Sequence, residues 1–174
     1  MVRRAIPAGV EETIRVIPDY DHVCCWTEIW PEVLRLEATT ADHRTASLLE
    51  LGEGEPIFHS IVLHWEGEQP LQYEERFVNP RFGGNYLEQD FSRVTPSSYL
   101  SGISPLTEAD QAIEAICTEA SIADLLRIKR RDPCLRLNRR TWCQQGIVNI
   151  AILIYPGSRY RLGGHLTTEQ GSQL

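Results

Sequence analysis

The stretch LNRRTWC, which starts at Leu137, places two arginines inside a run that otherwise has the character of a buried strand. Successive side chains of a strand point to opposite faces of the sheet. Arg139 therefore shares a face with Leu135, Leu137 and Thr141, whereas Arg140 points the other way. The two leucines indicate that their face turns toward the core, so the pattern predicts a guanidinium on an apolar face.

Two other strand-like segments carry polar side chains on a similar row. In QYEERF, Glu74 and Arg76 share one face of the predicted strand. In IVNIAILIY, Asn149 and Tyr155 stand toward the ends of a row that is otherwise apolar. These side chains and Arg139 are therefore the candidates for chemistry on the inner face of a sheet.

Buried arginines need anionic partners, because an unpaired buried charge costs several kcal/mol. One interpretation is structural: Arg76 or Arg139 forms an internal ion pair with Glu74, or an arginine at the end of the sheet reaches water. The other is a pocket in which a guanidinium binds a carboxylate or phosphate, with Asn149 and Tyr155 orienting the ligand. Residue spacing leaves both open.

Bulk composition narrows the class of protein. A chain of 174 residues is large enough for one domain with a substantial core. Its net charge of -7 argues against a nucleic-acid surface, which would show a basic patch. No segment approaches the ~20 apolar residues of a membrane span, and none has the form of a signal peptide.

The cysteine and histidine patterns point to no metal site, disulfide framework or cofactor. The five cysteines are odd in number and have no CxxC spacing, which is typical of a protein in the reducing cytoplasm. The five histidines show no paired metal-ligand spacing. Nucleophile elbows and phosphate loops are likewise missing, so we expect neither a catalytic residue nor a cofactor.

The order of elements predicts the fold class. Hydrophobic periodicity gives β-α-β-β-α-β-α-β-β, with hairpin turns at Glu66-Gly67-Glu68 and near Gln145-Gly146. Asp42 or Thr40 is a candidate N-cap of the first helix, and SRVTPSSYLSGISP is predicted to be a loop. This order favours an α+β domain, a twisted antiparallel sheet with helices on one side.

Several motifs together resemble a known family. EGEPIFHSIVLHWEGEQPLQYEERFVNP, YLEQDFSRVTPSSYL, DPCLRLNRRTW and YPGSRYRLGG are similar to the UTRA domain, the effector-sensing domain of GntR-superfamily transcription regulators. ERFVNP, QDF, RRTW and PGSRYRL resemble the histidine-utilisation repressors most. The resemblance runs from about Glu32 to Leu166, which predicts an irregular extension at 1–31, a UTRA domain at 32–166 and a tail at 167–174.

The resemblance implies a chorismate-lyase-like fold, a homodimer, and a small-molecule effector bound on the sheet. In histidine-utilisation repressors the effector is urocanate, an imidazole that carries an acrylate carboxylate. Arg139 is then expected to bind the carboxylate, and Glu74, Asn149 and Tyr155 are candidates for the imidazole nitrogens. Thr141 is added to the ligand positions that the family pattern implies because it shares a face with Arg139. The candidate positions are then Glu74, Arg76, Thr95, Ser97, Arg139, Thr141, Asn149 and Tyr155.

The resemblance also defines the partners and the alternatives. DNA is expected to be read only through a winged helix-turn-helix domain, for which residues 1–31 are too short. One alternative is a dimerisation remnant that has lost its DNA reader. The other is a chorismate-lyase-type enzyme, for which Arg76 and Arg139 could hold the substrate, but the sequence places no additional acid or base beside them. We therefore predict an effector sensor without catalytic activity.

Overall fold

The structure, a computed structural model, describes residues 29–160. The predicted tail at 167–174 and residues 1–28 of the predicted extension at 1–31 lie outside these residues, whereas residues 29–31 are not irregular but begin β1. The elements are β1 (Ile29–Thr40), α1 (His43–Leu49), β2 (Pro56–Glu66), β3 (Gln69–Val78), α2 (Pro80–Gly83), a 3-10 helix (Tyr86–Glu88), α3 (Pro96–Ile103), β4 (Glu108–Cys117), α4 (Ala120–Leu125), β5 (Pro133–Cys143) and β6 (Gly146–Pro156).

The six strands form one antiparallel sheet in the order β1-β2-β3-β6-β5-β4. This confirms the predicted α+β class and the antiparallel sheet. Both hairpins lie where the sequence predicts them: β2 ends at Glu66 and β3 begins at Gln69, with Gly67 at φ 57° in the turn. The last strand, β6, is inserted in the middle of the sheet, between β3 and β5.

Helices pack on both faces of the sheet, so the predicted one-sided arrangement is wrong. On one face, α2, the 3-10 helix and α3 form an apolar cluster with the sheet, which includes Val78, Tyr86 and Leu100. On the other face, α1 and α4 supply separate clusters around Leu49 and Leu126. The reason lies in β6, whose residues are buried on both faces except for Gly146 and Ile152. A central strand of this kind needs apolar cover on each side.

One prediction about the helices is wrong and another is confirmed. The segment predicted to be a loop contains α3, whose Thr95 side chain accepts a hydrogen bond from the Ser98 backbone N–H at 3.1 Å. Pro96 occupies the first turn, where its missing N–H costs nothing. For α1, the Asp42 cap is correct, since its side chain accepts from the Thr45 N–H at 2.7 Å.

Cross-strand register places the arginines. Directly opposed residues of antiparallel strands share a face, and Arg76 and Arg139 are both opposite Ala151 of β6. We call the face that carries Arg76 and Arg139 the arginine face and the other the reverse face. Arg140, opposite Ile150, lies on the reverse face, where its guanidinium lies over the Trp142 ring at 4.5 Å.

We predict that the cover of the arginine face is a major part of the stability. Leu100 of α3 is fully buried in the cluster with Tyr86, so Leu100→Ala should reduce the free energy of unfolding by about 2–5 kcal/mol. Urea denaturation measures this change. The matched control is Leu106→Ala, the same substitution at a 36% exposed position, which should change it by less than about 0.5 kcal/mol. Equal effects would show that α3 does not seal the sheet.

Candidate functional site

A buried ion pair between Glu74 and Arg76 lies in the middle of the arginine face. The two residues are only 4% and 2% exposed. Arg76 Nε donates to Glu74 Oε1 at 2.9 Å, and Arg76 Nη2 lies 2.8 Å from the same oxygen. For Arg76, therefore, the structure shows the internal ion pair that the sequence left as one of two interpretations.

Hydrogen bonds extend this pair across four strands. His64 Nε2 lies 3.2 Å from Glu74 Oε2 on the β2 side. On the other side, Arg76 Nη1 donates to Asn149 Oδ1 at 2.6 Å, and Asn149 Nδ2 donates to Thr141 Oγ1 at 2.6 Å. All five residues are buried. A polar network inside a protein is stable only when its members are satisfied, and this one is connected from His64 to Thr141.

Charge neighbours control the protonation of Glu74. Burial alone raises the pKa of this carboxyl, but Arg76 and His64 outweigh burial and lower the pKa to about 2. Glu74 is therefore ionised at neutral pH. Its two oxygens are hydrogen-bonded to Arg76 and His64, so its negative charge is used to neutralise Arg76.

A hydrogen bond between Tyr86 and Ser60 lies beside the network, on its helix side. Ser60 of β2 lies opposite Arg76, and its Oγ is 2.7 Å from the Tyr86 hydroxyl. Burial raises the pKa of Tyr86 to about 12, so this hydroxyl stays neutral. The 3-10 helix thus adds a polar contact beside the ion pair while its rings, with Phe91, keep water out.

Arg139 lies on the same face as Arg76 but has different hydrogen-bond partners. Its Nη2 donates to Gln111 Oε1 at 3.1 Å, and its Nε is buried without a hydrogen-bond partner. Within residues 29–160, no carboxylate forms an ion pair with this guanidinium. Burial, followed by the nearby charge of Arg76, lowers the pKa of Arg139, although an arginine remains a cation at neutral pH.

Two arginines and one carboxylate leave an excess positive charge on the arginine face. Since Glu74 is bound to Arg76, Arg139 is left on this face without an ion-pair partner among the described residues. A buried unpaired donor is rare in folded proteins and calls for a physical explanation. The arrangement can bind an anion with two acceptor oxygens, such as a carboxylate.

Tyr155 is a buried aromatic residue on the arginine face. It is 8% exposed, and its ring stacks on Tyr160 with centroids 3.9 Å apart. Burial, helped by Tyr160 and by the charge of Glu74, raises the pKa of the Tyr155 hydroxyl, while Arg139 acts in the opposite direction. Tyr155 is therefore a neutral hydroxyl at physiological pH, and it lies opposite Leu135, four residues along β5 from Arg139.

Two predicted ligand positions lie elsewhere in the structure. Thr95 is exposed and caps α3, and Ser97 bonds through its backbone carbonyl to Ser101 in the same helix. No hydrogen bond within residues 29–160 joins either of them to the arginines. Their role in ligand binding stays a prediction from the resemblance.

Sequence reasoning missed His64 and Gln111 as members of the site. The alternation rule places His59 and His64 on opposite faces, which the structure bears out, but it did not connect His64 with Glu74. The pairing of Val62 with Glu74 and of Ser60 with Arg76 depends on a register shift between His64 and Trp65, which the turn at Gly67 does not indicate. Gln111 required the pairing of β4 with β5, which no turn in the sequence announces.

Other classes of site find no support in the described part of the chain. Residues 29–160 hold no group of three or more His, Cys, Asp or Glu side chains arranged for a metal ion. No helix in this range has the length and apolar character that crossing a membrane requires.

Comparison with known proteins gives a consistent family. The UTRA domain family matches residues 31–161. The histidine utilization repressor of Klebsiella aerogenes is 50% identical over 133 residues, which are 76% of this chain and 55% of that protein. The chain spans about half the length of the curated relatives it matches.

Solved structures match the fold. The C-terminal domain of the histidine utilization repressor from Pseudomonas syringae has a TM-score of 0.78 and 43% identity, over 80% of this chain and 99% of that domain. A GntR-family regulator from Enterococcus faecalis has a TM-score of 0.69 at 18% identity, over 78% of this chain and 99% of that one, and shows the fold alone.

We predict that Glu74→Gln destabilises the fold strongly, because it leaves the Arg76 charge buried without compensation. The free energy of unfolding should fall by about 3–5 kcal/mol at pH 7. Urea denaturation as a function of pH measures it. The folded-state pKa of Glu74 lies below its ordinary value of 4.5. The stabilisation is therefore complete above that value and declines as the pH falls toward 2, so wild type and variant should converge there.

The control for this variant is Glu114→Gln. Glu114 binds Arg136 at 2.7 Å, but both side chains are substantially exposed, at 50% and 37%. Solvent screens such a pair, so its loss should have a much smaller effect. If the two substitutions proved equally mild, the Glu74–Arg76 pair would not be the organising contact of the sheet.

Proposed function

The chain belongs to the UTRA domain family, and from this premise we propose that it is the effector-binding domain of a transcriptional repressor of histidine utilisation. Its effector is a small carboxylate, with urocanate as the first candidate. The names of the 42–50% identical relatives support the regulatory role. The chemistry of the arginine face supports an anionic ligand.

One observation carries this proposal: among residues 29–160, Arg139 Nε has no hydrogen-bond acceptor, whereas Arg76 Nε is bonded to Glu74. Both arginines lie opposite Ala151, and among residues 29–160 a carboxylate pairs with Arg76 but none pairs with Arg139. A ligand carboxylate supplies the missing acceptor at Arg139 Nε and neutralises the excess charge. Charge-assisted hydrogen bonds of this type are roughly twice as strong as neutral ones.

For the imidazole ring of the ligand, the structure leaves fewer candidate partners than the sequence suggested. Asn149 donates to Thr141 and accepts from Arg76, so it already has two partners. Glu74 already has a hydrogen-bond partner at each oxygen and an ion pair with Arg76, which leaves little acceptor capacity for an imidazole N–H. We therefore assign the planar ring of the ligand to the side of Tyr155, whose aromatic surface and neutral hydroxyl suit an imidazole.

The proposal includes a cellular context. The domain acts in the cytoplasm as part of a homodimer, and DNA is bound through a separate domain. Ligand binding shifts the population between dimer arrangements that differ in DNA affinity. Catalysis is not part of this proposal, because the charged groups beside Arg76 are already paired within the network.

We predict saturable binding of urocanate without turnover, and loss of that binding in Arg139→Ala. Isothermal titration calorimetry measures it, with histidine and chorismate as comparison ligands. Losing the carboxylate partner should weaken affinity by about a hundredfold, since a charged hydrogen-bonded pair contributes roughly 2–3 kcal/mol. Product analysis with chorismate tests the enzymatic alternative.

The matched control is Arg136→Ala. Arg136 is on the same strand but on the reverse face, paired with Glu114. Its removal should leave urocanate affinity unchanged. Failure of the wild-type chain to bind any of the three ligands would instead favour a dimerisation remnant, and formation of product from chorismate would favour the enzyme.

A further inference from the structure

Gln111 stands at the open arginine. It lies on the outer strand β4 directly opposite Arg139, and its side-chain carbonyl accepts the one hydrogen bond that Arg139 donates within residues 29–160. Gln111 is exposed, in contrast to the buried network around Arg76. The bond therefore joins a half-buried cation to a side chain in contact with solvent.

The two arginines differ along one edge of the guanidinium plane, where Nε–H and one Nη2–H point the same way. In Arg76, Nε donates to Glu74 Oε1 and Nη2 lies 2.8 Å from the same oxygen. In Arg139, Nη2 binds the Gln111 carbonyl and Nε has no partner. Gln111 thus occupies half of an edge that a carboxylate fills completely.

We propose that Gln111 is a specificity-determining placeholder. Its carbonyl holds Arg139 Nη2 in the ligand-free chain and leaves when an effector carboxylate takes the whole edge. This inference rests on the proposed function, because it assigns the effector carboxylate to Arg139. It adds a residue of β4 to the ligand response.

Displacement follows from the relative strength and the accessibility of the two acceptors. A carboxylate offers two oxygens and a full charge, whereas an amide carbonyl offers one oxygen and no charge. Arg139 Nε is shielded from solvent, so an oxygen of a ligand reaches it only after a neighbouring side chain moves. Gln111 can move at small cost, because water replaces its hydrogen bond.

This exchange selects the chemical class of the ligand. A neutral amide or ester of the same shape gains nothing at Nη2 over the carbonyl of Gln111 already there. A carboxylate gains the charge and the bond to Nε together. Gln111 therefore disfavours uncharged analogues. Specificity here depends on competition by the Gln111 carbonyl as well as on attraction between Arg139 and the ligand carboxylate.

The test compares urocanate affinities of the wild-type chain, Gln111→Ala and Gln111→Glu by calorimetry. Removing the competing carbonyl should tighten binding about three- to tenfold, the equivalent of one net hydrogen bond. Gln111→Glu places an internal carboxylate on the edge and should weaken binding by more than about tenfold. Glu114→Gln, on the same strand but on the reverse face, should leave the affinity unchanged.

Gln111→Glu also gives a readout without ligand. The Nε–H resonance of Arg139 in nitrogen-15 NMR should exchange more slowly with water in this variant than in the wild-type chain, because its donor gains a partner. Thermal unfolding confirms that each variant folds.

The outcomes separate the two proposals. Absence of urocanate binding by the wild-type chain contradicts the proposed function itself, and the placeholder with it. If the wild-type chain binds urocanate and Gln111→Ala binds it equally or more weakly, only the placeholder is overturned, and Gln111 becomes a positioning residue for Arg139. Tighter binding by Gln111→Ala supports displacement.

Discussion

The buried pair of Glu74 and Arg76 constrains everything around it. Two charges in the middle of a sheet are tolerated only when they meet each other and their remaining donors find acceptors. A slip of β3 by one residue would carry both charges to the reverse face, which is packed with apolar side chains around Leu63 and Ile154. The pair thus favours a single register for β3 against β2 and β6, and the same register brings Asn149 within reach of Arg76.

That constraint also explains why the second arginine is available. One carboxylate cannot give both guanidinium groups a bidentate partner, and the network gives Glu74 to Arg76. Arg139 is left with a single neutral acceptor from β4 and with burial that disfavours its charge. The structural interpretation and the pocket interpretation of the sequence are therefore not rivals. The structural interpretation holds for Arg76, and the pocket interpretation is our proposal for Arg139.

Strand alternation was enough to predict the antiparallel sheet, both hairpins and the face on which Arg139 lies, because a period of two is a local property. What it could not give depends on pairing between distant strands. The neighbour of β5 on each side, and so the Gln111 contact, is decided by tertiary packing. Bulges add to this: the register shift between Val33 and Arg35 reverses the alternation along β1, which reads as a regular strand in the sequence.

The order of strands places the two arginines in mechanically different settings. Arg76 is on β3, an inner strand with hydrogen-bonded neighbours on both sides. Arg139 is on β5, whose outer neighbour is β4, a strand with nearly all its side chains exposed. An edge strand has one unpaired side and opens more readily than the interior of a sheet. A ligand at Arg139, as proposed, would act beside an edge of the sheet, whereas a ligand at Arg76 would have to break the buried pair with Glu74.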